Sequence, residues 1–122
     1  MTVRKYTVLF VGDEGEKYDA ITFPHDEKFV EAYVRALSII EAKNHDYSSE
    51  TDPFANFRES ERFGISAEQG VLIRMSDKFA RLRNFFVKGL LKARDESVKD
   101  ALIDIMNYCA IMYALLEEKN KE

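Results

Sequence analysis

The chain has few of the residues that build disulfide frameworks and zinc sites, with one cysteine and two histidines among 122 residues. A single cysteine excludes an internal disulfide. Cys109 falls among apolar helix positions, so we expect it to be a small buried side chain. Neither histidine has a second histidine or a cysteine at the spacing of metal ligands, which argues against zinc.

Long apolar runs are also missing. No stretch reaches the roughly 18 apolar residues that a membrane helix needs, so we expect no membrane span. The opening M-T-V-R-K-Y-T-V-L-F has a short apolar run and no small-residue cleavage site, so we expect a cytoplasmic protein. With a net charge of −4, sequence-specific binding to nucleic acid is not expected.

Several sequence motifs of common enzyme classes are absent. The chain contains no G-x-x-x-x-G-K-[ST], G-x-G-x-x-G, H-E-x-x-H, G-x-S-x-G or C-x-x-C. These absences argue against a P-loop protein, a dinucleotide-binding domain, a zincin, a serine hydrolase and a thioredoxin-like protein.

What the chain does have is a sharp division of charge. Residues 1–70 carry 8 basic and 14 acidic side chains, residues 71–94 carry 7 and 1, and residues 95–122 carry 3 and 7. A basic helix would therefore lie next to an acidic one. Such a pair suits a metal–phosphate site, and it equally suits two antiparallel helices that select each other by charge.

The length and the patterns predict a single, mainly α domain over residues 1–122. Residues 1–23 read as a small β hairpin, with strands over 3–11 and 17–23 and Pro24 ending the second strand. Asp26 is the expected N-cap of a first helix that runs to about Lys43. Residues 44–66 form a long loop with one short helical piece.

Two further helices complete the prediction. A capping box of Ser66 and Gln69 begins a helix over Ala67–Lys88, and Asp95 or Ser97 caps a last helix that ends near residue 118. Their apolar stripes are broad, and three such helices rarely make a complete bundle. We therefore expect a homo-oligomer, a dimer or larger, in which a partner chain supplies the missing helices. The predicted apolar positions are Val71, Leu72, Met75, Phe79, Leu82 and Phe86 in the second helix, and Val98, Ala101, Leu102, Ile105, Met106, Cys109, Met112, Tyr113 and Leu116 in the third.

A column of acids is the first candidate site. Glu96, Asp100 and Asp104 are four residues apart on the last helix, so their carboxylates share one face and repel one another. Such a column suits something cationic, most simply a divalent metal ion with hard oxygen ligands. Two other interpretations stay open, a solvated helix face and a salt-bridged seam against the basic helix upstream.

A second candidate group follows the first helix. Lys43 could hold a phosphate and Tyr47 a base or sugar, with Asp46 beside them. The alternatives are a helix-capping role for Lys43, because a cation suits a helix C-terminus, a turn at Asp46 and a core position for Tyr47. Asn56 lies between two aromatic residues that would anchor the loop, and its amide could bond either a base edge or a loop carbonyl.

The basic helix adds a third group. Arg74, Asp77 and Arg81 share one face, with Lys78 beside it. Asp77 could simply pair with the two arginines. Alternatively it joins the acidic column as a further carboxylate, while Lys78 and Arg81 hold phosphates.

From Lys43 to about Leu116 the chain resembles the nucleotide-modification-associated α-helical domain of phages and bacteria. That family is in turn similar to the all-α nucleoside triphosphate pyrophosphatases of the MazG and dimeric dUTPase type. The resemblance rests on K-N-H-D-Y, D-P-F-A-N-F-R, G-V-L-I-R-M-S-D-K-F-A-R-L, D-E-S-V-K-D and D-I-M-N-Y, in that order.

The resemblance implies an oligomeric bundle, a nucleotide ligand and a Mg²⁺-dependent pyrophosphohydrolase. The implied metal and catalytic carboxylates are Asp77, Glu96 and Asp100, with Asp104 as a further metal ligand. The implied phosphate-holding residues are Lys43, Lys78 and Arg81. The enzymes carry E-E-x-x-E on one helix, where this chain offers only Asp77. Two alternatives are therefore a non-catalytic nucleotide-binding phage accessory protein and an acidic protein–protein inhibitor.

Overall fold

The computed structural model describes the backbone of residues 3–11, 17–47, 54–88 and 96–120, and the side chains of residues 26–43, 54–88 and 98–120. The described chain is mainly helical, as the sequence predicts. It divides into two compact units, Met1–Val34 and Arg35–Glu122. The elements in chain order are β1 (Val3–Val11), β2 (Lys17–Asp26), α1 (Glu27–Tyr47), a 3₁₀ helix (Phe57–Phe63), α2 (Ala67–Lys88) and α3 (Glu96–Asn120).

In the first unit, β1 and β2 pair antiparallel, with Val3 opposite Asp26 and an irregularity in register between Leu9 and Val11. β2 continues through Pro24, which lies opposite Lys5, and ends three residues beyond the predicted Phe23. A two-stranded sheet has only edge strands, where proline is tolerated.

The first helix starts where its cap predicts and ends later than expected. The carboxylate of Asp26 accepts a hydrogen bond of 2.6 Å from the backbone N–H of Lys28, which confirms Asp26 as the N-cap. The predicted end at Lys43 is wrong, because α1 continues to Tyr47. The segment Asn44–Tyr47 has no glycine or proline to stop the helix, and each added residue closes another backbone hydrogen bond.

In the second unit, α2 has the predicted bounds. The hydroxyl of Ser66 accepts from the backbone N–H of Gln69 at 3.1 Å, and the amide oxygen of Gln69 accepts from the N–H of Ser66 at 3.0 Å. This reciprocal pair is the predicted capping box. The preceding 3₁₀ helix ends at Gly64, whose φ of +77° is a conformation that glycine adopts without strain.

Two ion pairs show that α2 and α3 run antiparallel. Lys119, near the end of α3, contacts Glu68 at the start of α2, and Lys78 in the middle of α2 contacts Asp104. The 3₁₀ helix is held to α3 by an ion pair between Arg58 and Glu118.

The core of the second unit lies between the 3₁₀ helix, α2 and α3. Phe57 is buried in it and Phe54 packs against it, which confirms that these two rings anchor the loop. Burial of these side chains supplies the main apolar contribution to the stability of this unit. The buried cluster comprises Phe57, Ala67, Val71, Met75, Ile111 and Leu115.

The predicted apolar stripes divide between two faces. Val71 and Met75 of α2 and Ala101 of α3 are buried, whereas other members of the same stripes are exposed. Cys109 is exposed, so the expectation that it is buried is wrong. It lies on the exposed half of a stripe that is too broad for one core. The exposed members are Leu72, Phe79, Phe86, Leu102, Cys109, Tyr113 and Leu116.

Candidate functional site

Three helices each contribute one charged side chain to a single cluster around Asp104. The Nζ atom of Lys78, from α2, lies 2.9 Å from one carboxylate oxygen of Asp104, and the Nζ atom of Lys43, from α1, lies 3.5 Å from the other. Two cations thus share one anion. We call Lys43, Lys78 and Asp104 the lysine cluster.

The lysine cluster is partly withdrawn from water. The side chains of Asp104 and Lys78 are 17% and 19% exposed, and that of Lys43 is 44% exposed. Removal from water strengthens the attraction between such charges compared with a surface pair. Lys43 is the most accessible member and is therefore the one that a ligand would meet first.

A small pocket adjoins the lysine cluster. Its enclosed volume is only about 10 Å³, and Lys43 and Asp104 lie in its wall. A cavity needs roughly 10–15 Å³ to hold one water molecule, so this pocket has room for about one water, and a phosphate or a ring would contact its mouth from outside. The remaining lining residues are Ile40, Asn107, Tyr108 and Ile111.

The polar groups of this wall are already oriented. The side-chain amide of Asn107 donates a hydrogen bond of 2.9 Å to the backbone carbonyl of Ala36, which fixes α1 against α3. The ring of Tyr108 meets the buried ring of Phe57 edge-on, with 6.5 Å between centroids. The first contact links this wall to α1 and the second links it to the 3₁₀ helix.

Arg35 forms an ion pair with Asp100, the second described carboxylate of the acidic column. Its guanidinium lies 2.6 Å from an oxygen of Asp100. Asp100 and Asp104 are thus each paired with basic side chains from other helices, which agrees with the salt-bridged alternative for the column. The Lys78–Asp104 contact joins α3 to the basic helix upstream, and the arginine comes from α1.

The described carboxylates do not fit a Mg²⁺ site as they stand. Asp104 is held by two lysines and Asp100 by Arg35, so their oxygens are directed to cations already. Among the described residues, no three histidine, cysteine or acidic side chains come together as metal ligands. The side chain of Glu96, the remaining member of the predicted column, lies outside the described residues.

The other predicted residues have separate positions. Asp77 and Arg81 are exposed on α2, and neither forms an ion pair within the described part of the chain. The guanidinium of Arg74 lies 4.6 Å from the ring centroid of Phe57, stacked on that ring instead of paired with Asp77. Asn56 is exposed just before the 3₁₀ helix. Asp46 and Tyr47 belong to α1, but their side chains lie outside the described residues.

Sequence reasoning missed Arg35, Ile40 and Ile111. The signal that points to Arg35 is the acidic excess of α3, which calls for basic partners on more than one neighbouring helix. Ile40 and Ile111 carry no comparable signal, because an aliphatic residue on a helix face looks the same whether it lines a pocket or fills a core.

No protein-family model, no curated protein and no solved structure matches this chain. In the described part of the chain, no helix combines the length and the apolar character needed to cross a membrane.

Proposed function

We propose that the protein binds a nucleotide, or a closely similar phosphorylated small molecule, with a phosphate group held by Lys43 and Lys78. The observation that carries this proposal is that two lysines from different helices converge on one carboxylate beside a pocket. The resemblance to nucleotide-processing proteins supports the same ligand class.

The carboxylate of Asp104 occupies the position that a phosphate would take. Like a phosphate, it offers more than one anionic oxygen to the two ammonium groups, and lysines bind phosphate as point charges. An incoming phosphate carries more negative charge than Asp104 and competes for the same two Nζ atoms. The ligand would thus bind by exchange, and Asp104 would turn towards solvent.

The dimensions of the pocket limit the rest of the ligand. The pocket as it stands encloses about 10 Å³, room for about one water molecule, so the phosphate would take the place of the Asp104 carboxylate and the rest of the ligand would extend past Lys43 into solvent. The aliphatic side chains of Ile40 and Ile111 make the wall of this small pocket partly apolar. This arrangement favours recognition of the phosphate over strict selection of the base.

A Mg²⁺-dependent pyrophosphohydrolase is the second candidate, and the resemblance favours it. Asp77, Glu96, Asp100 and Asp104 would then hold the metal, which would neutralise phosphate charge when bound. The pairing of Asp100 and Asp104 with basic residues favours binding without turnover instead. The homo-oligomer and the cytoplasmic location stay proposals within both candidates.

The test compares four forms of the protein with a panel of nucleoside triphosphates in EDTA and in Mg²⁺. We expect nucleotides to raise the melting temperature of the wild type in EDTA, because the lysines and not a metal hold the phosphate. Lys78→Met removes one charge-assisted contact and should weaken binding about 10-fold or more. Lys88→Met, an exposed lysine at the end of the same helix, is the matched control and should bind normally.

Asp104→Asn separates the two candidates. It removes the anion that competes for the lysines, so it should bind nucleotide at least as tightly as the wild type. Under the hydrolase candidate the same change removes a metal ligand and should weaken Mg²⁺-dependent binding. Pyrophosphate release by the wild type in Mg²⁺ that Asp104→Asn abolishes would favour the hydrolase. The absence of any nucleotide effect in either buffer would reject both.

A further inference from the structure

We infer that the lysine cluster selects a phosphate monoester, a ligand whose phosphate is terminal and carries about two negative charges at neutral pH. This inference rests on the proposed function and narrows its ligand class. It admits a nucleoside monophosphate or another small monoester, and it excludes phosphodiesters such as cyclic nucleotides and the internal phosphates of nucleic acid. Three features of the cluster carry it: its charge, the burial of Lys78 and the space beside it.

The lysine cluster has more positive than negative charge. Lys43 and Lys78 contribute one positive charge each, and Asp104 contributes one negative charge, with one oxygen near each Nζ atom. In the described part of the chain no second carboxylate pairs with either lysine, because Asp100, one turn earlier on α3, is held by Arg35. A ligand with two negative charges would therefore balance the two ammonium groups, whereas a ligand with one charge would only repeat what Asp104 already provides.

The burial of Lys78 determines how such a ligand must bind. Its side chain is 19% exposed, and a charge withdrawn from water is costly unless an opposite charge contacts it. A ligand that displaces Asp104 must therefore contact Lys78 as well as Lys43, which requires two oxygens at once. A terminal phosphate has three oxygens that are free of ester bonds, so two can face the lysines while the third stays in water. A single phosphate thus occupies the cluster, and a longer phosphate chain is not required.

Asp104 sets a threshold that a ligand with one charge does not pass. Because Asp104 is covalently part of α3, it competes for the lysines at an effective concentration in the millimolar range or above. A free ligand also loses translational and rotational freedom on binding. With the same charge as Asp104 it would not displace the carboxylate at micromolar concentration. At equal distance a doubly charged phosphate attracts each ammonium group about twice as strongly, which favours exchange.

The space beside the cluster favours a terminal group over a diester. The adjoining pocket encloses only about 10 Å³, room for about one water molecule. A monoester has one ester arm, which would leave past Lys43, the member of the cluster that is 44% exposed. A diester has a second arm, for which the wall that contains Ile40 and Ile111 leaves little room.

The experiment measures the affinity of the full chain for three adenosine ligands by calorimetry in EDTA at about neutral pH, where the monoester keeps most of its second charge. The ligands are adenosine monophosphate, the sulfate ester that replaces its phosphate, and cyclic adenosine monophosphate. The sulfate ester keeps the single arm and the three terminal oxygens but has one charge. The cyclic ligand has one charge and two arms. We expect the monophosphate to bind about 10-fold or more tightly than either of the others.

Three variants test the role of each charge. Asp104→Asn removes the competing anion and should lower the dissociation constants of all three ligands by a similar factor, because the competitor reduces the fraction of chains that can bind any of them. Lys78→Met leaves one ammonium group, so the preference for the monophosphate over the sulfate ester should shrink several-fold. Lys88→Met, the exposed lysine at the end of α2, is the matched control and should keep the preference.

The outcomes separate this inference from the proposed function. Binding of the sulfate ester or the cyclic ligand as tightly as the monophosphate would overturn the inference and leave an anion-binding lysine cluster in place. A folded Asp104→Asn variant that binds the monophosphate more weakly than the wild type in EDTA would also overturn it. No binding of the monophosphate or of any nucleoside triphosphate would reject the proposed function and the inference with it. If circular dichroism shows that a variant does not fold, the comparison of the three ligands on the wild type decides.

Discussion

At the scale of single residues, Asp104 and Gly70 show how a neighbour elsewhere in the sequence determines what a residue does. Asp104 belongs by spacing to a column of acids, but Lys43 and Lys78 determine what its oxygens contact. Gly70 looks from the sequence like a weak point in the first turns of α2. A Cβ atom placed there would lie 2.7 Å from the hydroxyl oxygen of Ser60 and 3.0 Å from its Cβ, so glycine permits a close approach.

We predict that Gly70→Ala destabilises the protein by about 1 kcal/mol, although alanine is the better helix former by about 0.8–1 kcal/mol. Overpacking against Ser60, whose hydroxyl also bonds the carbonyls of Phe57 and Ser66, costs about 1–3 kcal/mol and outweighs that gain. Urea denaturation measures the difference. In a Ser60→Gly background the same substitution should be neutral or stabilising. A more stable single variant would contradict the prediction.

At the scale of elements, the sequence predicts a helix boundary correctly where a capping side chain marks it. The Ser66–Gln69 box places the start of α2 correctly, and Asp26 does the same for α1. The end of α1 has no such signal, because a helix continues through residues of moderate propensity when nothing stops it. Polar composition alone therefore placed that boundary four residues too early, at Lys43.

The ends of α2 and α3 are joined by the Glu68–Lys119 pair, at 3.0 Å. The approach is that of an ion pair rather than a directed hydrogen bond, since this oxygen of Glu68 has no hydrogen-bond donor among the described residues. Partial burial raises the pKa of Glu68, but its own backbone N–H, Lys119 and Ser66 together outweigh burial and hold the pKa below its ordinary 4.5.

The sign of the pH effect follows from that lowered pKa. The folded chain resists protonation of Glu68, so the ionised carboxylate stabilises the folded state. This contribution to the free energy of unfolding is complete above about pH 4.5 and disappears as the pH falls through the lower pKa of the folded state. We predict that Glu68→Gln is less stable than the wild type at pH 7 and loses less stability on acidification. Lys119→Met should behave similarly. Thermal melts between pH 7 and pH 3 measure both, and an unchanged pH dependence in Glu68→Gln would contradict the assignment.

At the scale of the whole molecule, periodicity identifies which helix faces are apolar but not which of them are covered. The stripes of α2 and α3 contain both the buried Val71 and Ala101 and the exposed Phe79 and Cys109. Hydrophobic spacing is the same for a core and for an interface between chains, so the burial of Cys109 was predicted wrongly. The mainly helical class follows from spacing alone and is confirmed.

Truncation of Leu115 tests how much the core of the second unit contributes to the free energy of unfolding. Its side chain is 1% exposed, and Leu115→Ala should cost about 2–5 kcal/mol, because the small side chain leaves a cavity. Leu37→Ala is the control, since Leu37 is 67% exposed and its truncation should change the free energy of unfolding by no more than about 0.5 kcal/mol. Chemical denaturation compares them, and equal losses would show that the core lies elsewhere.

The candidate site was predictable in its residues but not in its pairing. Lys43, Lys78 and Asp104 were each identified from charge and position, and the structure brings these three together. Their mutual contact depends on how three helices pack, which no local spacing encodes. For the same reason Arg35 could not be matched with Asp100 from the sequence.

Helix α1 is fastened to α3 by Arg35 on Asp100, by Lys43 on Asp104, and by the amide of Asn107 on the backbone of Ala36. Of the described side chains of α1, only that of Ala36 is buried, so polar contacts do much of this fastening. Added salt weakens these two ion pairs, so the attachment of residues 35–43 of α1 to α3 depends on ionic strength. A phosphate that binds Lys43 would break one of these two ion pairs, so ligand binding at the lysine cluster would weaken the attachment of residues 35–43 to α3.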